Sequence, residues 1–213
     1  IEHPAVLKTC GDLEKQGMEV TYLDVDRQGM VNLAQLRRSI TRKTILVSIM
    51  YANNEIGTIQ PLREIGRITS RAGVLLHTDA VQAYGHIPVY PGAFHGDFLT
   101  ASGHKFNGPK GTGFLYIRDK NTLDPWQTGG GQEKGMRSGT ENIPGIVGLG
   151  TSAEISCRNM QEKITRLCRL RDYMIRRILG EIPGSILNGH PLRRLPGNVN
   201  VSFPGVDGAA VAA

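Results

Sequence analysis

The sequence is poor in the features that would take it out of ordinary globular chemistry. Its 213 residues include three cysteines, Cys10, Cys157 and Cys168, an odd and widely spaced set. That excludes a disulfide framework and points to a reducing compartment, with the cytoplasm as the expected location. No Cys-x-x-Cys and no Cys/His cluster has metal-ligand spacing, so no metal is expected. No apolar run approaches the length of a membrane span and no signal peptide opens the chain, so no membrane association is expected. Aromatic residues make up only 6% of the chain, so the excess of 25 Lys plus Arg over 19 Asp plus Glu lacks stacking partners for bases. Much of that charge falls on Lys163, Arg166, Arg169, Arg171, Arg176 and Arg177, which read as the solvated face of one helix and not as a nucleic-acid surface. Internal repeats and low-complexity tracts are absent too.

The rest is a globular composition, 39% apolar and 21% charged, long enough to bury a core. Residues 5–16 have apolar positions at helical spacing, with Gly17 as a stop. "MEVTYLDV" alternates and reads as a strand, and "NLAQLRRSI" as a short helix capped by Asn32. "TILVSIMYANNEIG" is a buried strand running into a polar loop. "PLREIGRITSRAG" is a helix that begins near Pro61 and ends at Gly73. "VLLHTDAVQAYG", "GDFLTASGHK" and "GTGFLYIR" are further strands. A glycine-rich polar stretch covers 126–145, and one long amphipathic helix is expected from about 146 to 179, where Cys157 and Cys168 read as small buried hydrophobes. After Pro183 the chain turns β-like in "NVNVSF". Strands alternating with helices predict an α/β fold with a mainly parallel sheet between helices, and in such sheets ligands lie at the carboxyl ends of the strands.

Three strand ends converge on that edge. They carry Asn53, Asn54 and Glu55; then His77, Thr78, Asp79 and Gln82; then Ser102, His104 and Lys105. Each residue alone has a bland reading as a turn former, a cap or a solvated side chain. Together they match the needs of one cofactor. A strand-end lysine, its basicity lowered by burial, forms an imine with an aldehyde. Pyridoxal phosphate needs such a lysine, a carboxylate on its ring nitrogen, donors for its phosphate and partners for its ring hydroxyl. Lys105, Asp79, Ser102 with His104, and Asn54 with Gln82 are of the right types. The glycines around Lys105 would let backbone approach the cofactor.

"TILVSIMYANNEIGTIQP", "HTDAVQAYG", "SGHKFNGPKGTGFLYIR" and "GGGQEKGMRSGTENIPGIVGLG" closely resemble, in order and spacing, the NifS-like cysteine desulfurases. These belong to the class V aminotransferase group of fold-type I pyridoxal phosphate enzymes. The resemblance implies that Lys105 bonds covalently to the cofactor and moves protons, and that Asp79 pairs with the pyridine nitrogen. It places Gln82 and Asn54 near the ring oxygen and Ser102 and His104 on the phosphate. It implies that His3 stacks on the ring and serves as acid or base. It matches Thr140 to a residue that reaches the phosphate of a neighbouring subunit, which would imply a homodimer. Residues 1–148 would form the cofactor-binding large domain, lacking its N-terminal part. Residues 149–213 would form a connecting helix and the start of a smaller α+β domain.

The same resemblance implies L-cysteine as substrate and an iron–sulfur scaffold or sulfur-carrier protein as acceptor. The abrupt ends of the sequence read as those of a fragment. The family's catalytic cysteine and its substrate-carboxylate arginine would fall after residue 213, and its phosphate-binding glycine-threonine loop before Ile1. The alternatives are a selenocysteine lyase, a class V aminotransferase and a non-catalytic truncated module.

Overall fold

The computed structural model describes residues 1–206 and Gly208. The end of the stretch expected to start a smaller domain therefore lies outside the described residues. Helix α1 (Pro4–Lys15) has proline in its first turn and is capped by His3. Helix α2 (Leu33–Ser39) begins at Asn32, whose side chain accepts the Ala34 and Gln35 N–H groups, as the sequence predicts. "MEVTYLDV" forms no strand: Val25 makes a single bridge to Val31 and the rest finds no ladder. Its β-type alternation describes a surface that fits a sheet, and the fold supplies no neighbouring strand there.

Strands β1 (Leu46–Ser48), β2 (Leu75–Asp79), β3 (Phe98–Ser102) and β4 (Gly113–Ile117) form one sheet in the order β1-β2-β3-β4. The first three are parallel, and β4 returns antiparallel to β3. Beyond Ser48 the chain keeps its bonds to β2, since Ile49 N–H donates to His77 O and Tyr51 N–H to Asp79 O. Helix α3 (Leu62–Ala72) links β1 to β2 and ends on Gly73, left-handed at φ 68°. Its Leu62 and Ile65 pack with Leu76, Leu99, Phe94, Ala80 and Ala83 into one core. Ile65 and Leu76 are fully buried, each contributing about 2 kcal/mol by leaving water. Along β2 burial alternates: Leu76 and Thr78 face this core, while Leu75, His77 and Asp79 are half-buried.

The long helix predicted from 146 to 179 is two helices, α4 (Ile143–Arg158) and α5 (Met160–Glu181), broken at Asn159 (φ −125°, ψ 33°). The apolar period runs on across the break, but asparagine is a weak helix former whose amide competes for backbone. Cys157, expected to be buried, is exposed beside the break. Arg171 is not on a solvated face: it is buried and donates to the carbonyls of Arg194 and Leu195 at 3.2 Å each. β5 (Ile186–Leu187) and β6 (Val201–Ser202) pair in a separate two-stranded sheet. The segment between them closes over the turn after β1: His190 N–H donates to Thr58 Oγ1 at 2.9 Å and Asn198 Nδ2 to Glu55 O at 2.8 Å.

Candidate active site

In parallel register Asp79 faces Thr100, so β2 and β3 end side by side, about 4.8 Å apart. Asp79 closes β2 and Ser102 closes β3, both half-buried and on the same face as His77 and Thr100. Asp79 Oδ1 accepts the Val81 N–H at 2.9 Å, an Asx turn that sets the carboxyl's direction and leaves the other oxygen for a ligand. Beneath it His77 is bracketed by two hydroxyls, Ser48 Oγ at 2.7 Å from Nδ1 and Thr100 Oγ1 at 3.4 Å from Nε2. Burial lowers the basicity of His77, and the charge of Asp79 partly restores it.

After Ser102 the chain makes a 3-10 turn, Gly103–Phe106, that carries His104 and Lys105. Ser102 Oγ and His104 Nδ1 lie 2.9 Å apart. Phe106 is buried and packs edge-on against Tyr84 at 5.1 Å. His86 Nε2 donates to the Lys105 carbonyl at 2.8 Å. The backbone of Lys105 is thus fixed while its side chain is exposed, and its ammonium has no hydrogen-bond or ion-pair partner among the described residues. This corrects the expectation of a buried lysine: the turn projects it beyond the strand end.

At two of the neighbouring glycines the protein itself makes a close approach. A Cβ on Gly103 would lie 2.7 Å from Thr112 Oγ1 and 2.9 Å from Leu149 Cδ1, and one on Gly108 would lie 2.7 Å from Ser152 Oγ. These two glycines let the lysine turn pack on the 109–112 loop and on α4, so the close approach they serve lies within the protein itself.

The other predicted residues arrive differently. His3 is exposed, and its Nδ1 accepts the Ala5 N–H at 3.1 Å, which leaves Nε2 as the free nitrogen. Its segment is tied to the end of β1 by two bonds: Met50 N–H donates to Glu2 Oε1 at 2.6 Å, and Asn53 Nδ2 to Ile1 O at 2.9 Å. Asn53 is the turn former, its Oδ1 accepting from Glu55 and Ile56, and it leaves Asn54 exposed at the turn. Gln82 is half-buried in the turn after Asp79. Thr140 is exposed in the glycine-rich loop, whose bonds Ser138 Oγ to Gly130 O and Gly139 N–H to Gln132 Oε1 keep it to itself; it is not brought to the strand ends. Two half-buried groups, Glu2 and His77, had no role assigned from the sequence. Adjacency to His3 and the alternation of β2 were the signals available for them.

The donor set fits pyridoxal phosphate: a free amine, a carboxyl with one unengaged oxygen, and a hydroxyl–imidazole pair suited to an anion, on adjacent strand ends. This sheet, flanked by helices and carrying its polar residues at the carboxyl edge, defines an α/β protein of the fold-type I pyridoxal phosphate class. The chain belongs to the class-V aminotransferase family, whose model matches residues 1–213. It is 53% identical over 211 residues to a "Cysteine desulfurase IscS" of Methanosarcina thermophila, covering 99% of this chain and 52% of that one. It is 46% identical over 211 residues to a "Cysteine desulfurase" of Nostoc sp., covering 99% and 53%. The chain thus spans about half the length of the curated relatives it matches. Among solved structures, a "NIFS-LIKE PROTEIN" superposes with a TM-score of 0.94 at 40% identity, over 99% of this chain and 58% of that one. "SspA in complex with cysteine" superposes with a TM-score of 0.71 at 44% identity, over 72% and 45%.

Proposed function

We propose that the protein is a pyridoxal-phosphate-dependent cysteine desulfurase, converting L-cysteine to L-alanine and passing the sulfur, as an enzyme persulfide, to an iron–sulfur scaffold or sulfur-carrier protein. One observation carries this reading. Neighbouring parallel strands end in Asp79 and in the Ser102–His104–Lys105 turn, within a chain whose curated relatives are named cysteine desulfurases. The bound cofactor supplies an electron-withdrawing ring.

The chain's own groups do the rest. Asp79 would hold the ring nitrogen through the oxygen that Val81 leaves free. Ser102 and His104 bind the phosphate, and Gln82 and Asn54 the ring oxygen. His3 would lie against the cofactor, its Nε2 left free by the Ala5 bond to exchange a proton with substrate. Lys105, whose ammonium has no partner among the described residues, would hold the cofactor at its aldehyde carbon and could carry a proton to or from the substrate Cα.

Sulfur abstraction needs a thiolate. Cys10 is unsuited, since burial and then the charges of Glu2 and Glu14 push its thiol up. Cys157 and Cys168 lie on α4 and α5. The nucleophile is assigned to a part of the protein outside these 213 residues, and the 213 residues alone sustain no turnover. Thr140 serves the phosphate site of a second copy, so the enzyme is a homodimer, and the few, widely spaced cysteines favour a reducing, cytoplasmic location. The test is to supply the intact protein with cofactor, L-cysteine and a thiol reductant, and to measure alanine and sulfide. Equal amounts of both are expected. Alanine formed only with a keto acid, or turnover of selenocysteine but not cysteine, would refute the reading.

A further inference from the structure

One acidic group at the strand ends has no part in the mechanism above. Glu2 Oε1 accepts the Met50 N–H at 2.6 Å, while its Oε2 is buried without a hydrogen-bond partner among the described residues. Met50 adjoins Tyr51, whose N–H donates to the Asp79 carbonyl at 2.8 Å. The Glu2 carboxyl therefore sits at the junction of the His3 segment, the end of β1 and the Asp79 strand.

A buried carboxylate oxygen that no donor reaches is costly, and removing the charge relieves most of that cost. The charged and titratable groups that act on or answer to Glu2 are Asp79 on β2 and Cys10 on α1. Burial is the largest influence and raises its pKa; the Met50 N–H opposes this and Asp79 adds to it.

We propose that Glu2 is a positioning residue, held as the neutral acid, that fixes the His3 segment to the end of β1 beside the Asp79 strand. The role in cofactor binding rests on the desulfurase reading; the state of the carboxyl does not. A neutral acid accepts from Met50 as a glutamine would, so shape and hydrogen bonding matter here and charge does not.

The experiment uses the intact protein labelled with ¹³C at the glutamate side-chain carboxyls, with Glu2→Gln assigning the resonance. Glu2 is expected to titrate at higher pH than the exposed glutamates. Glu2→Gln should hold pyridoxal phosphate within about twofold of wild type, and Glu2→Ala should weaken it about tenfold, the equivalent of one buried hydrogen bond. A Glu2 signal titrating with the exposed glutamates, a glutamine variant as impaired as the alanine one, or a harmless alanine variant each overturns the proposal. If Glu2→Ala does not fold, the titration and the glutamine variant decide. If wild type takes up no cofactor, the desulfurase reading fails while the titration still tests Glu2.

Discussion

Replacing Gly103 by alanine tests whether the lysine turn is shaped by packing within the protein. The added Cβ would lie 2.7 Å from Thr112 Oγ1, 2.9 Å from Leu149 Cδ1 and 3.1 Å from the Pro109 carbonyl. The first two are side-chain tips that can give way. The third is backbone, and Thr112 is not free either, because its hydroxyl donates to Pro109 O at 2.7 Å. Overpacking of this kind costs about 1–3 kcal/mol, and losing the Thr112 bond adds about 1 kcal/mol. The alanine returns about 0.4–1 kcal/mol by restricting the unfolded chain. The net expectation is a destabilisation of about 1–3.5 kcal/mol in urea unfolding of the intact protein, with weaker cofactor retention because Lys105 stands two residues away. Gly180→Ala is the control: it lies in α5 with nothing within 4 Å of its Cβ, and should stabilise by about 0.5–1 kcal/mol. A Gly103→Ala protein as stable as that control, with cofactor retention unchanged, refutes the packing argument.

Lys105→Ala should abolish the cofactor's protein-bound absorbance band, and an unchanged band would mean that another amine is the anchor. His77 is held neutral by burial, so its folded-state pKa is depressed. The unfolded state then binds the extra proton, and stability should fall as pH drops below about 6.5 towards the folded value. His77→Gln, which keeps a hydrogen-bonding side chain between Ser48 and Thr100, should flatten that part of the profile; an unchanged slope would assign it to another group. Glu2 contributes the opposite slope: its raised pKa means stability falls as pH rises from about 4.3, and Glu2→Gln should remove that loss.

What could be read along the chain was whatever is local or periodic. Asn32 announces the start of α2 because its side chain caps the next turn, and Gly73 ends α3 because it takes up a left-handed conformation without strain. The strands ending in Asp79 and Ser102 were legible from apolar runs breaking into polar residues, and with them most of the candidate site. "MEVTYLDV" misled because a strand is completed by a partner elsewhere in the chain. The 146–179 pattern misled because apolar spacing says which face is covered and not where backbone bonding lapses, as it does at Asn159.

The sequence by itself determined the types of group available and the strand ends that carry them, since residue chemistry and the period of two are written in consecutive positions. Only the tertiary structure decided their environments. It freed the Lys105 amine, buried Arg171 against two carbonyls, exposed Cys157 and left a Glu2 oxygen without a donor. Each of those depends on contacts between residues far apart in the chain, and desolvation is set by everything that surrounds a group, which no local stretch of sequence contains.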